Sequence, residues 1–255
     1  ISPSCSCPLL SRFQLQVLLN LLLSIKFRNG KSGKRCSWGI EPPVPHDLIF
    51  SHHQISPLLA KNPASVISIS PNLGRTKVHV RRVESGWALP DGELLTDANL
   101  NTISSDLNGC FRLVGSQLKK VQTFSSRTNR YYSLMPTAGA PTMLISGIPM
   151  HRVKDITPDM DTRQKLKALG KPYGRILDTA SGLGYTAIMA AQTAEQVVTI
   201  EFDPAVHEIC RQNPWSAELF TLSNIQPLIG DSVDLVAAFP DATFNAIIHD
   251  PPTFS

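Results

Sequence analysis

Residues 175–191 read RILDTASGLGYTAIMAA. An apolar run ending at Asp178 passes into a turn that holds Gly182 and Gly184, then into a run of small residues with helical spacing. Strand, glycine turn and helix in that order place backbone N–H groups and a helix start beside a polar ligand. The glycines let such a ligand approach the main chain. The turn is not decisive alone, because Gly182, Gly184 and Ala187 also satisfy the dinucleotide-binding spacing. Upstream, DTRQKLKALG (161–170) predicts a helix closed by Gly170. Downstream, QVVTIEFDP (196–204), IQPLI (225–229) and FNAIIHD (244–250) each contain a predicted strand. Such alternation calls for a parallel sheet with helices on its faces, so the expected class is α/β.

The acidic residues narrow the chemistry. Asp178 ends the first strand, where a carboxylate repels a pyrophosphate but holds a cationic amino group, directly or through water. That favours S-adenosylmethionine (SAM) over NAD. Glu201 follows at roughly the twenty-residue spacing at which an acid accepts from ribose hydroxyls, and Phe202 beside it is counted with the cofactor side. Asp203 and Pro204 open the next helix as N-cap and first-turn proline, so Asp203 reads as a cap. Asp231, in GDSVDLV, either accepts from an adenine amino group or caps the helix after it. Asp250 ends the fourth strand. Ligands of such sheets gather at the carboxyl ends of strands, and Asp178, Glu201, Asp231 and Asp250 are all delivered to that edge.

With these residues in place, positions 151–255 resemble the class I SAM-dependent methyltransferases, through LDTASGLG, VTIEFDP, GDS and DPP. Ala180 stands where that family often has its first glycine. More narrowly, KVQTFSSRTNRYYSLMPT, APTMLISGIPMHR and HDPPTFS look like a poorly characterised group of predicted archaeal-type methyltransferases, found also in bacteria, that carry a small domain ahead of the catalytic one. The resemblance implies a Rossmann-like sheet of which this chain holds the first four strands, hence the front of a longer protein with an exposed sheet edge. It implies SAM as cofactor, with Ala180, Gly182 and Gly184 around it. In amino-group methyltransferases, which HDPPTFS resembles, the aspartate and the proline carbonyl of such a loop accept hydrogen bonds from the attacking nitrogen. Here these are Asp250, Pro251 and Pro252, with Phe254 one residue late, a spacing similar to that of some RNA-base methyltransferases. The prolines stiffen the loop, since φ is fixed and no N–H competes. The competing reading is a turn before a helix, with Phe254 in the core. His249 reads as a base or, preferably, as a strand-end histidine bonded into the core.

Methyl transfer requires alignment of a nucleophile with the methyl group and exclusion of water, and no metal. The acceptor, a small molecule or RNA, is left open. A second reading is an aminopropyltransferase of the spermidine-synthase type, which VVTIEFDP also resembles; it uses decarboxylated SAM and calls for an acidic amine pocket. A third is a non-catalytic SAM- or RNA-binding module.

The remainder of the 255 residues is less explicit. A hydrophobic content of 42% supplies a core, and a net charge of +4 permits an anionic partner without requiring one. Cys5, Cys7, Cys36, Cys110 and Cys210 lack metal or disulfide spacing, and His52 and His53 read as a surface loop, so no metal is assigned. Residues 1–40 hold basic residues around VLLNLLLSI, too short a run to span a bilayer, and read as a leader, an amphipathic helix or sequence outside the natural frame. No integral membrane association and a cytoplasmic location are expected. The expected division is a poorly defined extension and linker (1–72), a small α+β domain (73–150) and a SAM-binding domain (151–255). KVHVRRV, GCFRLV and KKVQTFS are expected as strands in the middle region, LLTDANLNTISSDL as a helix, and residues 128–152 as a packed, irregular segment. Within it, Asn129, Arg130, Tyr131, Tyr132, Met150, His151 and Arg152 either line the substrate side or seal the domain boundary. The tyrosines are assigned to the boundary.

Overall fold

The computed structural model describes residues 48–61 and 63–251. The readings placed on residues 1–40, on Cys5, Cys7 and Cys36, and on Pro252 and Phe254 lie outside the described residues. The antiparallel part begins at β1 (Leu48–Phe50) and α1 (His52–Ile55), followed by β2 (Val66–Ile69), β3 (Val78–Val83), β4 (Gly86–Ala88), β5 (Leu94–Thr96) and α2 (Asp97–Ser105). It continues with β6 (Phe111–Val114), β7 (Gln117–Lys120), β8 (Gln122–Ser125), β9 (Arg130–Met135), β10 (Thr142–Ile145) and β11 (Ile148–Pro149). These strands form three small sheets, ordered β1-β6-β7, β2-β3-β4-β5 and β11-β10-β9-β8.

Four expectations are corrected here. Residues 48–72, read as linker, carry two strands and a helix, because Leu48, Phe50, Ile55 and Ile69 enter the core around Trp87 and Leu95. His52 and His53 lie in α1 rather than a loop, after a Ser51–Gln54 capping box. KKVQTFS is two strands, broken at buried Val121, whose N–H donates to Cys110 while its carbonyl accepts from Leu134 in the next sheet. The segment read as irregular forms β9 to β11. Tyr132 and Leu134 alternate inward, and Ser146 and Gly147, both at positive φ, close the β10–β11 hairpin.

The second part follows the expected alternation: α3 (Pro158–Leu169), β12 (Arg175–Asp178), α4 (Tyr185–Ala190), β13 (Gln196–Glu201), α5 (Pro204–Gln212), α6 (Glu218–Thr221), β14 (Ile225–Ile229), α7 (Ser232–Ala237) and β15 (Ala246–Ile248). Gly170 ends α3 at φ 90°. The four strands are parallel and ordered β14-β13-β12-β15, the Rossmann order 3-2-1-4. Val197, Ile176 and Leu183 on one face share a core with Ile49, Val121 and Leu134 of the antiparallel part. The other face packs Leu177, Val198 and Ile200 against Leu228, Leu235 and Phe244.

Candidate cofactor and acceptor site

The order of strands changes direction between β12 and β15, and doubly wound sheets place ligands in the crevice at that point. The loop from Thr179 to Gly184 fills one side of it. Neighbouring strands fix this loop from both flanks: Thr179 N–H donates to Ile248 at 3.0 Å and Ser181 N–H to Ile200 at 2.8 Å. Gly182 and Gly184 have φ 51° and 77°. A Cβ on Gly184 would stand 2.9 Å from Leu219 Cδ2, so left-handed strain and crowding act together there. Gly184→Ala is expected to lower stability by about 1–3 kcal/mol, read by urea unfolding, and to displace the turn enough to weaken ligand binding.

Residues with no obvious sequence signal hold the turn from behind. The Cys210 thiol donates to the Gly182 carbonyl at 3.2 Å, and the Ser216 hydroxyl to that of Leu183 at 2.7 Å. Asn213 donates to Ser216 and to the Tyr185 hydroxyl, which itself donates to Pro141 in the antiparallel part at 2.8 Å. The Asn213-Pro214 turn is the one local feature that marks this cluster. Burial pushes the thiols of Cys110 and Cys210 up, consistent with core residues.

Asp178 is 1% exposed and accepts from the Thr199 hydroxyl at 2.8 Å and weakly from Ala180 N–H. Burial raises its pKa to about 7 against these hydrogen bonds, and Glu201 and Asp250 add repulsion. Glu201 accepts from Gly182 N–H at 2.9 Å and Asp203 N–H at 3.0 Å, tying the turn to the next loop. Burial raises its pKa to about 7 as well. Asp203 caps α5 through Ala205 N–H and accepts from Thr128 and Tyr132. Asp231 caps α7 through Val233 N–H, which donates to its Oδ1 at 2.8 Å. Phe202 is 45% exposed, with the Arg127 guanidinium over its ring at 4.2 Å.

Asp250 and Pro251 close the other side of the crevice. With Ala180, Ser181 and Thr186 they line a cavity of about 220 Å³ whose remaining wall includes Met150, His151 and Lys165. Lys165, missed by the sequence reading, ion-pairs with Asp250 and with Asp161 at 3.1 Å. Burial opposes its charge, and the two carboxylates outweigh that and raise its pKa. His151 Nδ1 is 2.9 Å from the Thr142 hydroxyl, and its ring stacks on Tyr185. Burial, with Lys165 adding to it, lowers its pKa to about 4. The buried Ser181 hydroxyl has no partner among the described residues. His249 is exposed and bonded to Thr179 at 2.7 Å, not set into the core, because the strand ends one residue earlier. Tyr132 is buried and donates to Asp203 at 3.0 Å, whereas Tyr131 is 62% exposed against Phe124; Arg152 is exposed. Among the described residues there is no His, Cys, Asp and Glu cluster suited to a metal ion, and no helix is long and apolar enough to cross a membrane.

No described protein family matches the chain as a profile. Among solved structures it resembles spermidine synthase from Thermotoga maritima, at 20% identity and TM-score 0.44 over 52% of this chain and 47% of that one. A spermidine synthase in complex with the transition state analogue AdoDATO gives 20% identity and TM-score 0.43, over 51% and 46% of the two chains. Trm5b from Pyrococcus abyssi gives 20% and 0.28, over 40% and 28%. The chain thus spans less than half of each of these proteins. The sequence comparison is closer: over 217 residues, 82% of this chain and 73% of the relative, it is 35% identical to the uncharacterized protein MJ1233 of Methanocaldococcus jannaschii. On that identity and coverage, the chain belongs to the family of MJ1233.

Proposed function

We propose that the protein is a SAM-dependent methyltransferase whose cofactor lies across the 179–184 turn and whose acceptor meets Asp250 and Pro251. The observation that carries this reading is the convergence of Asp178, Glu201 and Asp250 around one glycine turn at the switch point. A buried acid and a half-buried one, both with pKa raised to about 7, suit a ligand with a positive centre and hydroxyls, and oppose a pyrophosphate. The unpaired Ser181 hydroxyl and the Lys165 ammonium in the adjoining cavity fit an amino-acid end carrying a carboxylate. SAM supplies an activated methyl group when bound. The chain's part is to orient an acceptor at Asp250 and the Pro251 carbonyl and to keep water out.

Methyl rather than aminopropyl transfer is favoured by the charge of the cavity. An amine-binding pocket calls for free acids, but among the described residues Asp250 is the one carboxylate in this lining and Lys165 occupies it. Calorimetric titration of the protein with SAM and with decarboxylated SAM tests the reading. SAM is expected to bind at least about tenfold more tightly, a difference of about 1.4 kcal/mol. Preference for decarboxylated SAM would favour the aminopropyltransferase, and binding of neither would sink both.

A further inference from the structure

Behind the site, on the far side of α3, runs an open groove of about 770 Å³ between that helix, α4 and the segment around Trp215. Helix α3 has two chemically distinct sides. Lys165 faces the acceptor cavity and is paired. Arg163 and Lys167, one helical turn apart, line the groove, and Lys171 continues the row just past the helix end. All three are exposed, and among the described residues no ion pair or hydrogen bond engages their side chains. The two carboxylates in the lining are already committed. Asp159 accepts from Ala140 N–H at 3.1 Å, and Glu218 is bound by Arg75. The groove therefore carries three exposed cations along an apolar floor of Leu166, Ile188 and Met189, against one carboxylate, Asp159, that holds no cation among the described residues.

Two flat faces lie beside the row. Arg75 stacks over Trp215 at 5.6 Å, fixed by Glu218, and the indole N–H donates to Leu73. Tyr173, next in the chain to Pro172 of the groove lining, is 70% exposed. Unpaired cations in line with rings and a guanidinium plane are the two parts of a single-strand binding track. Phosphates follow the charges, and splayed bases stack on the flat groups whatever their identity.

We propose that this groove binds single-stranded nucleic acid, with Arg163, Lys167 and Lys171 on phosphates and Tyr173 and the Arg75–Trp215 stack taking bases. The inference does not depend on the proposed catalytic function, since none of these residues touches the cofactor crevice. An acidic peptide would satisfy the charges but leave Tyr173 idle.

Fluorescence anisotropy of the 255-residue chain with labelled oligouridylate and oligothymidylate of about 12 nucleotides tests it. Saturable binding is expected with either oligonucleotide, weakening about 18-fold between about 50 and 200 mM salt, as three contacts at about 0.7 each in log–log slope require. The triple variant R163E/K167E/K171E should lose at least about tenfold in affinity and make the slope shallower by about 2. Tyr173→Ala should weaken binding about fivefold or more without changing the slope. Thermal midpoints within a few degrees of the parent chain confirm that both variants fold. Absence of saturable binding at low salt, binding indifferent to the triple charge reversal, or competition by polyglutamate equal to that by the oligonucleotide would each overturn the proposal.

Discussion

Asp178→Asn is expected to make the ligand-free protein more stable at pH 8, by about 2–4 kcal/mol in urea unfolding, by about 1–2 kcal/mol at pH 5, and to leave it nearly unchanged below about pH 4. The reason is the cost of keeping a carboxylate charged where it is 1% exposed. Burial sets its folded pKa at about 7, against about 3.9 in the unfolded chain. A folded pKa above the unfolded one means that the native state binds the proton more tightly. The stability contribution is complete below about pH 4 and is lost as pH rises through about 7. Asparagine keeps an acceptor for Thr199 without the charge. Glu201, also raised to about 7 by burial, leaves a residual slope of the same sign in the variant. The same substitution should weaken SAM binding at pH 8 by about 10- to 100-fold, because a charge placed to meet a cation in a low-dielectric crevice is gone. In the parent chain SAM affinity should rise between pH 6 and pH 8 as Asp178 ionises, and the variant should lose that rise. Stability gained while binding is lost separates a functional charge from a structural one. Equal stability curves across pH would refute the raised pKa, and unchanged SAM affinity would refute the role of Asp178 in binding.

The residues that establish this site differ in how far local sequence reveals them. The parallel units were legible because each carries its own punctuation. Gly170 closes α3, Gly182 and Gly184 shape the turn, and Asp203-Pro204 opens α5. Such signals act within a few residues, so no tertiary knowledge is needed. Asp231 is ambiguous in sequence because a cap and an adenine acceptor need the same residue at the same place; the Val233 hydrogen bond shows that it caps α7. Strands β9 to β11 were hidden because Pro136, Gly139 and Pro141 interrupt their alternation; what makes them strands is pairing with β8 and burial under α4 and α5. Lys165 was invisible for a related reason. Its partner Asp250 lies 85 residues away in sequence, and on a helix with both charges a lysine reads as surface until the neighbouring loop is placed.

Lys165 gives the sharpest test of which sulfonium cofactor the crevice takes. Its side chain is about half exposed, and so is that of Asp250, so the pair contributes about 0–1 kcal/mol to stability and Lys165→Met should fold normally. Methionine keeps much of the apolar stem and removes the ammonium. If that ammonium meets the carboxylate of SAM, the variant should bind SAM about tenfold or more weakly, a loss of about 1.4 kcal/mol or more. Decarboxylated SAM has no carboxylate to lose and an amine that the ammonium repels. Its affinity should hold or increase, and Asp250, released from its partner, adds attraction for the amine. The preference between the two ligands therefore narrows or reverses in the variant, which calorimetry with both reads directly. A parallel loss for both would mean that Lys165 acts only by positioning Asp250. No change for SAM would place its carboxylate elsewhere, and an equal affinity of the parent chain for both ligands would remove the main argument against aminopropyl transfer.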